Sequence, residues 1–223
     1  MKYLSIDQFR NALICAADDI IASEPELTEI DTIIGDGDHG TTMKSGFTVL
    51  KTMLESSGYE SMFDLLRSTG VQLLRVMGGA SGVIFGTLFI GGHEAVRDKT
   101  EMDADCFIDF FDMSCEAIMK RGKARPGDKT MLDALYPAIE AMKGRRKTSG
   151  DMRDIMDAAA EGAKAGAQNS ADMLPKVGRS KNFRERGIGY PDPGAVSVSI
   201  IFGSMAEYLH NISYFFKRIG IEI

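Results

Sequence analysis

The stretch "TEIDTIIGDGDHGTTMKSGF", residues 28–47, carries Asp31, Asp36, Asp38 and His39 on a glycine-rich turn between two apolar-periodic segments. Downstream, Met43, Phe47, Leu50 and Leu54 recur at three- and four-residue intervals, the spacing of one helix face. Upstream, Ser5-Ile6-Asp7-Gln8 reads as a capping box, and Phe9, Leu13, Ala16 and Ile20 keep the same period. The stretch therefore reads as a loop between helices. It also poses a problem in electrostatics. Like charges repel, so an acidic turn this dense needs a cation to hold it together.

The helical period runs on along the chain. Met62, Leu66, Thr69 and Leu73 predict a third helix. "GGASG" at 78–82 interrupts the pattern, and an apolar segment from Val83 to about Val96 resumes it. Phe107, Phe111, Ser114 and Ile118 mark a fifth helix. Thr130 caps a sixth, with Leu132, Leu135, Ile139 and Met142 on its stripe. A seventh, rich in alanine, runs from about Met152 to Asp172; Gly162 and Gly166, one turn apart, let a neighbouring helix come close. The final segment opens on "AVSVSI", which alternates like a strand. Yet Val198, Ile201, Phe202, Met205 and Leu209 fit one helix face, and seven helices offer a strand no partner. About eight amphipathic helices without βαβ alternation predict an all-α bundle or barrel, one domain over residues 1–223.

Composition limits the functions open to such a fold. A chain of 223 residues with 44% hydrophobic and 26% charged residues is ordinary for a globular protein and needs no staples. A net charge of −6 argues against general nucleic-acid binding. Cys15, Cys106 and Cys115 are odd in number and form no Cys-x-x-Cys pair, so buried thiols in a reducing cytoplasm are expected. The longest apolar run, "GVIFGTLFIGG", is too short to span a bilayer, so no membrane role is expected.

The chemistry lies in the turns. Asp31, Asp36 and Asp38 suit a hard cation, Mg²⁺ or Ca²⁺. An EF-hand does not fit: with Asp36 at position 1, Thr41 and Phe47 stand where glycine and glutamate are needed. A phosphate-bound Mg²⁺ is favoured, with His39 as a phosphate donor rather than a ligand. "GGASG" exposes backbone N–H groups at a helix start, an arrangement that holds phosphates. "GKARPGDKTMLD", 122–133, approaches a P-loop, but Asp128 separates Gly127 from Lys129 and no strand precedes it. "KVGRSKNFRERGIGYPDPGA", 176–195, is a basic loop in which an arginine could neutralise a polyphosphate, and Asp192 is placed to cap the last helix. His93 and His210 read as structural.

Four blocks in order, "GDGDHGTTM", "GGASG", "RGKARPGDKTMLDAL" and "GRSKNFRERGIGYPDPGA", resemble the L subunit of dihydroxyacetone kinase along nearly the whole chain. The resemblance implies a barrel of about eight antiparallel helices with a nucleotide, ADP or ATP, bound in the loops at one end. It places two Mg²⁺ ions on Asp31, Asp36 and Asp38. It places nucleotide contacts on His39, Gly40, Thr41 and Thr42, and on Ala80 and Ser81 flanked by Gly78 and Gly79. Further contacts fall on Gly122, Thr130 and Met131, on Arg179, and on Asp192, Pro193 and Gly194. No side chain is implied as a covalent nucleophile. In the family's phosphotransferase-system form, a phosphohistidine-bearing partner recharges the bound ADP, and dihydroxyacetone sits on a separate substrate-binding subunit; a homodimer is expected. Gly37 in "GDGD" is similar instead to the ATP-dependent enzymes of trioses and tetruloses, and Thr42, Gly187 and Tyr190 also depart from the phosphotransferase-system pattern. An ATP-dependent ketose kinase and a non-catalytic regulator stabilised by nucleotide therefore remain alternatives.

Overall fold

The computed structural model describes residues 1–178, 181 and 184–211. Among them are nine α-helices: α1 Ile6–Ala22, α2 Glu24–Ile34, α3 His39–Ser56, α4 Met62–Val76, α5 Gly79–Ile90, α6 Ala104–Gly122, α7 Leu132–Arg146, α8 Met152–Asn169 and α9 Pro193–His210. The fold is all-α. The sole strand pairing among the described residues joins β1, Leu4–Ser5, antiparallel to β2, Glu101–Met102.

Eight of these helices close a ring in the order α1, α3, α4, α5, α6, α7, α8, α9, with α9 returning to α1. Helix α2 stands outside that circuit, against α3 and α9. The barrel interior is aromatic. Phe9 of α1 meets Phe107 of α6 edge-on at 6.2 Å, and Phe111 lies 4.9 Å from Phe202 of α9. Burying rings of this size contributes the largest apolar areas available to a side chain.

The predicted helices appear where their stripes place them, and the final segment is helical from Pro193 to His210, "AVSVSI" included. The capping box at Ser5 is complete, with Gln8 N–H donating to Ser5 Oγ and Ser5 N–H to Gln8 Oε1. Two differences have physical causes. Helix α5 begins inside "GGASG", so Gly79 to Gly82 are its first turn; it stops at Ile90, before Gly91 and Gly92, rather than at Val96. Helix α2 occupies residues read as part of a loop, so Asp31 sits in a helix and not in the acidic turn.

Glycines set the closest packing. A methyl group on Gly162 would sit 2.6 Å from the Pro137 carbonyl oxygen, and one on Gly166 would overlap the Asp133 carbonyl. Pro137 lies inside α7 and has no N–H for the carbonyl four residues earlier, which is that of Asp133. Helix α8 approaches α7 at that carbonyl. No helix of the described residues is long and apolar enough to cross a membrane.

Candidate functional site

Helices α3, α5, α7 and α9 all begin at one end of the barrel, because short connections make neighbours antiparallel. Their first residues, with the last turn of α2, line one cavity of about 440 Å³. The N-terminus of a helix carries unpaired N–H groups and partial positive charge. Helices α1, α4, α6, α8 and α9 spend theirs on side-chain caps from Ser5, Ser61, Asp103, Asp151 and Asp192. At α3 and α5 the residue before the helix makes no side-chain cap, and both ends face the cavity. At α3 the first N–H, that of His39, is taken by Asp31, whereas at α5 no side chain takes the first N–H groups.

Asp31 projects from the last turn of α2 and is buried; its Oδ2 accepts the His39 N–H at 3.0 Å. Gly35 makes room for it, since a methyl group there would overlap Asp31 Oδ1. Gly37 adopts φ +75°, a left-handed turn that costs glycine nothing. The turn brings Asp36 and Asp38 round to Asp31, and one carboxylate oxygen of each lies within 4.8 Å of the others. At that separation each like-charged pair costs between about 1 and 3 kcal/mol, depending on solvent screening. The Asp38 carboxyl is pushed up from its ordinary value, first by burial and then by the Asp31 charge. Three converging oxygen ligands of this kind fit Mg²⁺, which favours carboxylates and keeps positions for phosphate and water.

His39 is the first residue of α3 and lies buried beside the cluster. Its Nε2 is 2.9 Å from Ser197 Oγ, and that hydroxyl donates to the Pro193 carbonyl. The network therefore assigns the Nε2 proton to the Ser197 bond, which leaves the neutral ring no N–H for a phosphate and corrects the expected donor role of His39. Burial lowers the imidazole to about 4, against a smaller upward pull from Asp31, so the ring is neutral near pH 7.

Thr42, Gly79, Ala80, Ser81, Thr130, Met131, Asp192, Pro193 and Gly194 join the three aspartates and His39 around the cavity. Asp192 Oδ2 accepts the Ala195 N–H at 2.8 Å and caps α9. Burial lifts its carboxyl to about 7, helped by Asp133 and Asp31 and opposed by the Ala195 bond and Lys129. Gly40 and Thr41 stand back from the cavity. Gly40 is where α3 touches α2, since a methyl group there would collide with the Glu24 carbonyl and Thr28, and Thr41 is exposed with its hydroxyl on the Asp38 carbonyl. Arg179 lies outside the described residues.

Gly122 lines a second cavity of about 460 Å³. It adjoins the first through the shared residues Gly79, Ala80, Ile84, Thr130, Val177 and Gly178. Val83, Ile84, Ile118 and Leu132 make its wall apolar. One end of the site is thus acidic and polar, and the other is walled by apolar side chains.

Lys129 was missed by the sequence reading. It is fully buried, takes φ +61°, and donates through Nζ to the carbonyls of Ala171, Met173 and Gly187 at 3.2, 3.1 and 2.6 Å. It ties the turn before α7 to the segment after α8. Asp133 holds the same turn through the N–H groups of Gly127 and Thr130. Nothing in the sequence separates this lysine from an exposed one.

The fold and cavity define a class: all-α barrels with an acidic pocket among helix N-termini at one end. The chain belongs to the DAK2-domain family, whose model matches residues 33–207. It is 35% identical over 189 residues to the ADP-binding subunit DhaL of the PEP-dependent dihydroxyacetone kinase of Escherichia coli, covering 84% of this chain and 90% of that subunit. It is 32% identical over 207 residues to the L-erythrulose kinase of Pectobacterium atrosepticum, covering 90% of this chain and 34% of that enzyme. The crystal structure of C. freundii dihydroxyacetone kinase in complex with AMP-PNP and Mg²⁺ superposes with a TM-score of 0.70 over 89% of this chain and 33% of that one. At 24% identity that likeness is one of fold. All three relatives are kinases or kinase subunits.

Proposed function

We propose that the chain is the ADP-binding subunit of a dihydroxyacetone kinase, passing a phosphoryl group through Mg-bound nucleotide to dihydroxyacetone carried on a separate substrate-binding subunit. The observation that carries this reading is the meeting, in one cavity, of three converging carboxylates and the uncapped N-terminus of α5. Carboxylates alone repel a polyphosphate, and a helix N-terminus attracts one. Together they suit a cation and a polyphosphate bound as a pair.

Asp31, Asp36 and Asp38 would hold two Mg²⁺ ions, which when bound neutralise phosphate charge. Backbone N–H groups at Gly79, Ala80 and Ser81 donate to phosphate oxygens. His39, neutral and pinned by Ser197, keeps one orientation beside the phosphates. Thr42, Met131, Asp192, Pro193 and Gly194 wall the cavity, and Gly40 and Thr41 set the start of α3. The family resemblance assigns a further phosphate contact to Arg179, which lies outside the described residues. The base enters the apolar cavity that Gly122 and Thr130 line. Catalysis is then positioning plus electrostatics, with no covalent protein intermediate.

The likeness over 90% of the E. coli subunit supports the PEP-dependent form, in which a phosphohistidine on a partner subunit recharges ADP in place. A cytoplasmic location and a homodimer complete this reading. The "GDGD" turn and the likeness to L-erythrulose kinase favour a second reading, an ATP-fed ketose kinase. The test is the exchange rate of bound ADP together with phosphoryl transfer to dihydroxyacetone on its binding subunit. Slow exchange with PEP-driven transfer is expected. Fast exchange with free ATP as donor selects the second reading, and no transfer from either donor overturns both.

A further inference from the structure

Among the described residues, the apolar cavity has one charged side chain in its wall, Arg121, beside Val83, Ile84, Ile118 and Leu132. A guanidinium gains nothing from hydrocarbon walls alone. Nor is this one loose, because Arg121 Nη1 donates to Thr87 Oγ1 at 2.9 Å. Thr87 is buried on α5, and its hydroxyl gives its own hydrogen to the Val83 carbonyl at 2.6 Å. The hydroxyl can therefore only accept from Arg121. The guanidinium of this exposed residue is tied through one nitrogen to Thr87, and the side chain lines the cavity.

We infer that Arg121 is the residue that grips the nucleotide base and makes the site prefer a purine. A guanidinium is a planar cation that stacks on aromatic rings and donates hydrogen bonds without accepting them. A purine offers it the larger ring face and ring-nitrogen acceptors. A pyrimidine offers less, and a polyphosphate without a base offers nothing in this cavity. Thr87 is the positioning residue, because its hydroxyl accepts from the arginine and ties it to α5 at this wall. The inference rests on the nucleotide reading above and names the part of the chain that recognises the base.

Calorimetric titration with ADP, CDP and inorganic pyrophosphate, each with Mg²⁺, tests this on the wild type and on Arg121→Ala, Arg121→Lys and Thr87→Val. Arg121→Ala is expected to bind ADP about tenfold more weakly, the scale of one cation–π contact. It should bind pyrophosphate as the wild type does, and its preference for ADP over CDP should shrink. Arg121→Lys, which keeps the charge without the plane, should resemble the alanine variant. Thr87→Val should fall between. Unchanged ADP affinity in Arg121→Ala, an equal loss for pyrophosphate, or full retention in Arg121→Lys would overturn the inference. A wild type that binds pyrophosphate but not ADP overturns it while leaving the metal and phosphate site standing. Binding of neither overturns the nucleotide reading as well.

Discussion

Replacing Gly35 with alanine puts a methyl group where the Asp31 carboxylate now lies. The carboxylate has to turn away, because the residue on the other side of the overlap is the backbone of its own helix end. Turning breaks the bond from the His39 N–H, 3.0 Å long. A hydrogen bond to a charged group contributes about 2 kcal/mol, roughly a thirty-fold effect on an equilibrium. It also takes one oxygen out of a cluster whose members lie within 4.8 Å. Disturbing the support of a metal ligand costs about 10- to 100-fold in metal affinity. Gly35→Ala should therefore weaken ADP binding in Mg²⁺ by about that range, with folding stability changed by no more than about 2 kcal/mol because separating like charges offsets the lost bond. The assay is calorimetric titration of ADP in Mg²⁺ beside urea unfolding without ligand. Gly203→Ala is the control: a methyl group there meets nothing within 4 Å on α9, so it should leave binding unchanged and gain about 1 kcal/mol from helix propensity. ADP affinity in Gly35→Ala equal to that of the wild type would refute the placement of Asp31 in the ion-binding set.

The buried carboxyl of Asp192 gives a pH-dependent prediction. Its rise from the ordinary 3.8 to about 7 means that the folded chain keeps a proton the unfolded chain gives up in that window, so stability falls as pH rises through it. At 1.36 kcal/mol per pH unit the effect approaches about 4 kcal/mol, and Asp192→Asn, which retains an oxygen for the cap, should match the wild type near pH 4 and exceed it by up to that amount at pH 8. Urea unfolding in EDTA across that range measures it, and a difference independent of pH counts against the buried charge. Lys129→Met should cost several kcal/mol, since three carbonyls lose a shared donor. It should also open the segment around 171–189 to protease, and unaltered stability and cleavage would show the lysine to be dispensable.

Much of this architecture is legible in the sequence because core and turn use different residues. The stripes of α1, α3, α4 and α7 are apolar at most facing positions, with Thr69 the exception on α4, and their period survives in the chain. Helix α2 is hidden for a functional reason. Its buried face is Leu27, Asp31 and Ile34, spaced as a helix face is, but the middle position carries the charge that the site needs. A stripe with an aspartate at its centre does not read as a stripe. Ser23, Pro25 and the acidic first turn at Glu24 and Glu26 were the remaining signals of a helix start. The acidic turn and the "GGASG" turn were visible as chemistry because charge and glycine have few structural reasons to gather. Lys129 and Arg121 were not, because a cation in a polar turn looks the same whether it ends in water, on three carbonyls, or on a buried threonine. Only folding decides which carbonyls converge on Lys129 and which wall Arg121 joins.

The central claim is that the acidic cluster binds a nucleotide only together with its cation. Titrating ADP into the nucleotide-stripped chain, once in Mg²⁺ and once in EDTA, tests it most directly. Tight binding in Mg²⁺ and none in EDTA is the expected result, because Asp31, Asp36 and Asp38 with no ion among them repel a diphosphate. Equal affinity in the two buffers would contradict it.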